Sequence, residues 1–152
     1  MSEARRPAPG AIRLVVESRL ENVAPAGRAV AAIAVYAGMM DVEAAQVELC
    51  VVEAANNAIR HACGLRPDRE VEVAFAMGGG WLEIAITDDG APMPDGLLLK
   101  PFEFDPTDIE SLPEGGMGLY IIRCVMDELK SESAGGRNRL IMRKAVPVTR
   151  PD

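Results

Sequence analysis

One segment of the sequence, V-E-A-A-N-N-A-I-R-H-A, places polar residues of chemically useful types at intervals of four. Glu53, Asn57 and His61 therefore share one face if the segment is helical. A carboxamide oxygen can hold Mg²⁺ while a carboxylate one turn away orients or deprotonates an attacking hydroxyl, so the first two residues suit phosphoryl transfer. The alternative is an exposed polar stripe without a ligand, which this spacing alone does not exclude.

His61 has an ordinary structural alternative of its own. A histidine near the end of a helix is often only stabilised by the helix dipole. The chain has no other histidine, and its cysteines are not spaced as a metal cluster, which argues against zinc. We keep His61 as a candidate cofactor-binding residue.

A second segment, I-A-I-T-D-D-G-A-P-M-P, runs from an apolar alternation into acidic residues and a glycine. Asp88 at the end of a strand can accept a hydrogen bond from the amino group of adenine. Gly90 allows the backbone to come close to a base. The alternative here is a simple Asp-Gly turn.

A third segment, P-E-G-G-M-G-L-Y-I-I, sets three glycines directly before an apolar helical stretch. Gly115, Gly116 and Gly118 can let several N–H groups point at one anion, and the positive end of the helix dipole favours phosphate there. The segment is neither a Walker A motif, since G-K-[ST] is absent, nor a G-x-G-x-x-G dinucleotide fingerprint.

The whole-chain composition narrows the class of protein. The chain has 152 residues, 49% hydrophobic and 26% charged, which predicts one globular domain with a sizeable core. Its formal net charge of −7 argues against direct nucleic-acid binding, which depends on clustered Lys and Arg. No stretch is apolar for long enough to predict a membrane span or a signal peptide, so we expect a cytoplasmic protein.

The three cysteines, Cys50, Cys63 and Cys124, lie in apolar helical contexts without C-x-x-C spacing. We interpret all three as reduced core thiols, as is usual in the cytosol.

The motifs need a scaffold of strands and helices, and hydrophobic periodicity supplies one. The predicted elements are strands at 12–16, 70–77, 81–88, 130–134 and 137–146, and helices at 21–40, 41–63 and 117–129. Asp41 is the expected N-cap of the second helix. The fold class that follows is α+β, a two-layer α/β sandwich with a mostly antiparallel sheet covered on one face by helices.

The domain boundaries follow from the same pattern. We predict a flexible tail at 1–10, one domain at 11–146 and a C-terminal tail at 147–152. Within the domain, residues 90–116 form a long loop rich in Pro and Gly, and a loop of that length in a compact domain is usually functional or disordered. We expect it to act as a lid over a bound ligand.

The three motifs occur in one order, on a helix, at a strand end and before a helix. Together they resemble the N, G1 and G2 boxes of the Bergerat-fold, or histidine-kinase-like, ATPases. The chain most resembles the anti-sigma-factor serine/threonine kinases, because Gly90 is followed by Ala91 and Pro92, in a D-G-x-P form, instead of the second glycine of a D-x-G-x-G motif. The sole histidine lies inside the first motif, and no upstream helical hairpin bears a phosphoacceptor histidine.

The resemblance implies a role for each matched position, with ATP and Mg²⁺ as cofactors. Glu53 would be the catalytic acid that activates a substrate serine, and Asn57 would ligate the metal. Arg60 and Lys100 would be phosphate contacts. The full set of implied cofactor-binding residues is Asn57, His61, Asp88, Gly90, Lys100, Gly115, Gly116, Met117, Gly118 and Leu119.

The resemblance also implies partners. It indicates a protein kinase that phosphorylates a STAS-domain anti-anti-sigma protein and sequesters a sigma factor, acting as a homodimer without direct contact with nucleic acid or membrane. The alternative is a nucleotide-gated binding module that regulates a partner without phosphorylating it. An ATPase subunit of a repair or chaperone machine is less favoured, because such machines carry additional transducer domains.

Overall fold

The computed structural model describes residues 11–94, 96–99, 107 and 117–146. The two predicted tails and most of the predicted lid, including Lys100, Gly115 and Gly116, lie outside the described residues.

The sheet of the described chain has five strands in the order β1-β2-β3-β5-β4, and every pairing is antiparallel. The strands are β1 Ile12–Glu17, β2 Glu70–Gly78, β3 Trp81–Asp88, β4 Glu128–Ala134 and β5 Arg137–Ala145. β2 and β3 are joined by a tight hairpin in which Gly79 and Gly80 both have positive φ, the backbone region that favours glycine. β3 is the central strand.

In the described ranges, three α-helices lie on one face of the sheet: α1 Val23–Tyr36, α2 Asp41–Asn57 and α3 Met117–Val125. α1 and α2 pack closely enough that a Cβ added to Gly27 would lie 2.8 Å from Val52 Cγ2. Pro25 fits within α1 because the first-turn N–H groups have no partner inside a helix.

The core lies between the helices and the sheet. Alternate residues of β3, Leu82, Ile84 and Ile86, are at most 2% exposed and meet Val51 and Ile59 of the helical layer. The other face of the sheet carries a small cluster of Ala74, Ala85 and Ile141. The predicted fold class is therefore confirmed, including the order of helices and strands.

Several predicted boundaries were wrong by a few residues, and tertiary hydrogen bonds explain the largest error. The third helix ends at Val125 rather than 129, because the Asp127 N–H donates to the Arg143 carbonyl at 2.9 Å and starts the β4 ladder. The Asp127 carboxylate also accepts the Ala145 N–H at 2.7 Å. The N-cap of α2 is Met40, whose carbonyl accepts the Ala44 N–H, so Asp41 is the first helical residue.

The second helix changes its winding before it ends. Residues Ala58–Ala62 form a π-helical turn, with the Cys63 N–H donating to the Ala58 carbonyl at 2.9 Å. Gly64 and Leu65 then both have a φ of 60°, and the Leu65 N–H closes on the Ile59 carbonyl at 2.8 Å. A single π turn in a helix often marks a functional site.

Candidate nucleotide site

The carboxylate of Glu53 lies beside the first turn of α3. A Cβ added to Gly118 would lie 2.7 Å from Glu53 Oε2 and 3.5 Å from Asn57 Nδ2. Both polar residues are half-buried on α2. A negative side chain next to the N-terminus of a helix is stabilised by the helix dipole. The structure thus brings the first and third sequence motifs together, as far as the third is described.

The second motif forms a hydrogen-bonded turn at the end of β3. Asp88 is buried, at 8% exposure. Its Oδ1 accepts the Gly90 N–H at 2.9 Å, and no described residue donates to its Oδ2. The buried carboxylate therefore has one oxygen engaged by the turn and one left for a donor outside the described chain.

The turn after β3 also docks on the end of the second helix. The Ala91 N–H donates to the Ala62 carbonyl at 2.9 Å. A Cβ added to Gly90 would overlap the Ala62 carbonyl group and lie 2.9 Å from the Cys63 N. Gly90 is therefore required for backbone contact with the helix, and the π turn supplies the carbonyl that this contact uses.

Arg69, just before β2, holds the outer side of the same turn. Its Nη1 donates to the Asp89 carbonyl at 2.8 Å and forms an ion pair with Asp89 Oδ1 at 3.2 Å. Because both groups belong to one residue, Arg69 fixes the backbone next to Asp88 as well as the exposed side chain. Sequence reasoning missed Arg69, since twenty residues separate it from its partner.

Asn138 on β5 is a second residue that sequence reasoning missed. It is paired in register with Asp88. Its Nδ2 donates to Asp88 Oδ1 at 2.8 Å, to the Gly90 carbonyl at 3.0 Å and to the Ala91 carbonyl at 3.2 Å. The contact depends on the register between β3 and β5, so no local sequence motif predicts it.

The other described candidates lie in different surroundings. Leu119 is buried in the main core, and Met117 is half-buried at the start of α3. His61 and Arg60 are exposed within the π turn. The winding change at this turn means that the four-residue spacing from Asn57 no longer ensures a common face.

The two buried thiols, Cys50 and Cys63, have raised pKa values and are poor nucleophiles near neutral pH. Burial raises the pKa of Cys50 to about 12 and also raises the pKa of Cys63, where the nearby carboxylates of Asp88 and Asp89 add to the effect. Both are therefore neutral near pH 7. Cys124 is exposed, so its prediction as a core thiol was wrong: it lies on the outer side of α3.

The donor set fits a magnesium nucleotide. Mg²⁺ commonly takes one or two protein oxygens and completes its shell with phosphates and water. Asn57 offers such an oxygen, and the described residues contain no cluster of three or more His, Cys, Asp or Glu able to hold a metal by themselves. Asp88 offers an acceptor for a base amino group, and Gly90 and Gly118 lack side chains where the elements converge.

The described parts of the three motifs lie against the second helix and its π turn, with Gly118 beside Glu53 and the turn after β3 bonded to the Ala62 carbonyl. The two-layer sandwich that carries them has the fold of a Bergerat-type nucleotide-binding domain. The family model described as "Histidine kinase-like ATPase domain" matches residues 16–144. The chain belongs to this family.

Among curated proteins, the chain is similar to serine-protein kinases RsbW, which confirms the predicted resemblance to anti-sigma-factor kinases. This chain is 31% identical to the RsbW protein of Bacillus velezensis over 101 residues, which cover 59% of this chain and 58% of the relative. It is 28% identical to that of Bacillus subtilis over 105 residues, covering 62% and 60%. The match therefore spans about three fifths of the length of these relatives. With the Oceanobacillus iheyensis protein it is 27% identical over 127 residues, covering 82% and 80%.

Solved structures show the same fold. The RsbU and RsbW domains of a Mycobacterium tuberculosis protein align with a TM-score of 0.64 at 14% identity, covering 93% of this chain and 33% of that one. The SiaB–SiaC complex of Pseudomonas aeruginosa contains a chain that aligns with a TM-score of 0.61 at 17% identity, with 89% of each chain covered. No helix in the described ranges is long and apolar enough to cross a membrane.

Proposed function

We propose that this protein is an ATP-dependent protein serine kinase and anti-sigma factor, which phosphorylates a STAS-domain anti-anti-sigma protein and sequesters a sigma factor. The observation that carries the proposal is the meeting of Glu53 and Asn57 with Gly118 at the start of α3. A purely structural contact between two helices would not require a half-buried carboxylate and carboxamide at this point.

Glu53 acts on the incoming serine hydroxyl. Its carboxylate would orient that hydroxyl and accept its proton, while the serine oxygen bonds to the γ-phosphorus of ATP and ADP leaves with the bridging oxygen. The carboxylate can occupy this position only because Gly118 has no side chain, since a Cβ there would lie 2.7 Å from Glu53 Oε2. Asn57, one helical turn away, would hold Mg²⁺ through its amide oxygen, and the ion would neutralise phosphate charge.

Asp88 selects the base. Its Oδ2 accepts a hydrogen bond from the amino group of adenine, while its Oδ1 is held by the Gly90 N–H. Met117, Gly118 and Leu119 begin the helix whose N-terminus faces the phosphates. We extend the phosphate contacts to Lys100, Gly115 and Gly116 within a lid at 90–116, and to His61 and Arg60 at its margin.

The proposed partners follow the similarity to the RsbW kinases. We also propose that the protein acts in the cytoplasm as a homodimer. Its folded domain, at 11–146, would lie between tails at 1–10 and 147–152. Its net charge of −7 supports regulation through proteins rather than direct contact with nucleic acid.

The decisive experiment measures transfer of the γ-phosphate of labelled ATP to purified STAS-domain proteins from the same organism. The wild type is expected to label one serine, and Glu53→Gln to lose at least about a hundredfold in rate, as expected for removal of a general base. Glu48→Gln is a matched control, because Glu48 lies on the same helix and pairs with Arg28 at 3.3 Å. Absence of labelling by the wild type would refute the kinase activity.

The second candidate function is a nucleotide-gated binding module. It is favoured if the wild type binds ATP and a sigma factor without phosphorylating a partner. Isothermal titration of the sigma factor, with and without Mg·ATP, measures this directly. The kinase proposal predicts that Glu53→Gln keeps this binding and loses only the transfer.

A further inference from the structure

Asn138 joins the two hairpins of the sheet at the end where Asp88 lies. Its Nδ2 has a carboxylate oxygen and two backbone carbonyls within hydrogen-bond distance, at 2.8, 3.0 and 3.2 Å. All three atoms are acceptors. The amide can face them only with its NH₂ group, which fixes the orientation of the side chain.

The other end of the amide is fixed as well. Ser133, on β4, donates its hydroxyl to Asn138 Oδ1 at 2.8 Å. The two residues are paired in register across the β4–β5 hairpin. A chain of hydrogen bonds therefore runs from Ser133 through Asn138 to Asp88.

The consequence for Asp88 is that one of its oxygens is fully occupied. Oδ1 accepts both the Gly90 N–H, at 2.9 Å, and the Asn138 amide, at 2.8 Å. Such bonds to a carboxylate are stronger than bonds between neutral groups, so the plane of the carboxylate is held. Oδ2 is then the oxygen presented to a ligand. A carboxylate free to rotate would present either oxygen and bind a base amino group less well.

We infer that Asn138 is a positioning and specificity-determining residue, which holds the Asp88 carboxylate so that Oδ2 recognises a purine with an amino group at C6 and rejects one with a carbonyl there. The inference rests on the proposed nucleotide function. It assigns to β5 a part in base selection in addition to its place in the sheet.

The test compares the affinities of ATP and inosine triphosphate, which has a carbonyl in place of the amino group at C6 and a hydrogen on N1. Asn138→Asp keeps the shape of the side chain and removes the NH₂ donor. We expect it to lower the preference for ATP about tenfold, the factor for one hydrogen bond to a charged group, with a smaller effect on inosine triphosphate binding. Asn138→Ala serves as the second variant, because it adds no charge beside Asp88.

Matched serine variants test the outer part of the chain of hydrogen bonds. Ser133→Ala is expected to lower the preference for ATP by a smaller factor, about twofold to fivefold, since it frees the amide only at its far end. Ser131→Ala, two residues away on the same side of β4, is expected to leave the preference unchanged.

The outcomes separate the inference from the function on which it rests. If the wild type binds neither nucleotide, the proposed function fails and the inference fails with it. If the wild type prefers ATP and both Asn138 variants keep the full preference, only the inference is overturned. Loss of affinity for both nucleotides by the same factor also overturns it, because this is the effect of a merely structural residue.

Discussion

Gly118 lies so close to Glu53 that an added methyl group would meet the carboxylate: the distance from a Cβ to Glu53 Oε2 would be 2.7 Å. The other near atoms, Glu53 Cβ at 3.4 Å and Asn57 Nδ2 at 3.5 Å, are at ordinary contact distance. The flexible end of Glu53 must therefore move if Gly118 is replaced, while the helices can keep their packing. The position of the proposed catalytic carboxylate depends on this glycine.

The first prediction concerns Gly118→Ala. Displacing the carboxylate by about 1 Å is expected to slow phosphoryl transfer by about a hundredfold, with a much smaller change in ATP affinity. Single-turnover transfer and equilibrium binding measure the two effects separately.

A double-mutant cycle supplies the control for this prediction. In a Glu53→Ala background the new methyl group meets no carboxylate, so Gly118→Ala is expected to stabilise the fold by about 0.5–1 kcal/mol through helix preference. Urea unfolding measures this. Destabilisation of equal size in both backgrounds would show that Glu53 is not the group displaced.

The second prediction concerns Gly90→Ala. Here the added Cβ would overlap the backbone carbonyl of Ala62, which cannot rotate away. We expect a loss of about 1–3 kcal/mol in the free energy of unfolding, together with weaker nucleotide binding. Gly78→Ala is the matched control, since a Cβ there has open space. Equal stabilities of the two variants would contradict the contact.

The third prediction concerns Leu65, an exposed residue with a φ of 60° and a relative exposure of 52%. Asn tolerates this left-handed backbone better than Leu, so Leu65→Asn is expected to stabilise the fold by up to about 1 kcal/mol. Leu65→Ala keeps the backbone strain and is expected to give no increase in the free energy of unfolding. Chemical denaturation distinguishes the two variants, and a larger gain from Ala than from Asn would refute the explanation.

The fourth prediction concerns the thiols. Cys124 is exposed, whereas Cys50 and Cys63 are buried. A thiol reagent at pH 8 should therefore modify one cysteine in the folded protein and all three in denaturant. Cys124→Ser should remove the native reaction, and a fast reaction that remains in this variant would contradict the assignment.

The pH dependence of stability tests Cys50 further. Its pKa is raised to about 12 in the folded protein by burial. Below the ordinary thiol pKa both states carry the neutral thiol, so the favourable contribution is fully present; above it only the unfolded chain ionises. Stability should therefore fall as the pH rises from the ordinary thiol range towards 12. Cys50→Ala should show a shallower fall over that range, and an identical fall would contradict this contribution.

The order of elements was predictable because it depends on local periodicity. Alternation in β2 and β3, and the glycines between them, indicate a hairpin without any tertiary information. The boundary between α3 and β4 was not predictable in the same way. Leu129 fits an apolar helical repeat as well as a strand, and the hydrogen bond from Asp127 to Arg143 decides between them.

The residues of the candidate site also differ in how far they could be predicted from local sequence. Glu53, Asn57 and Asp88 could be named from residue type and spacing, because each motif is local. Asn138 and Arg69 could not, since their contacts with the turn after β3 depend on strand register and on the position of a loop. The π turn also leaves no signal in the side-chain pattern, because it changes only which backbone carbonyl each N–H group reaches.

The π turn at Ala58–Ala62 restricts where this chain can change in length. Removing one residue from it would close the wider turn to ordinary α-helical winding and change which backbone carbonyl lies at the end of the helix. The Ala62 carbonyl would then no longer face the Ala91 N–H, to which it is bonded at 2.9 Å. We therefore expect insertions and deletions to be tolerated in the connection before Asp41. At the opposite end of the same helix, one residue more or fewer would separate the turn after β3 from the helix that bears Glu53.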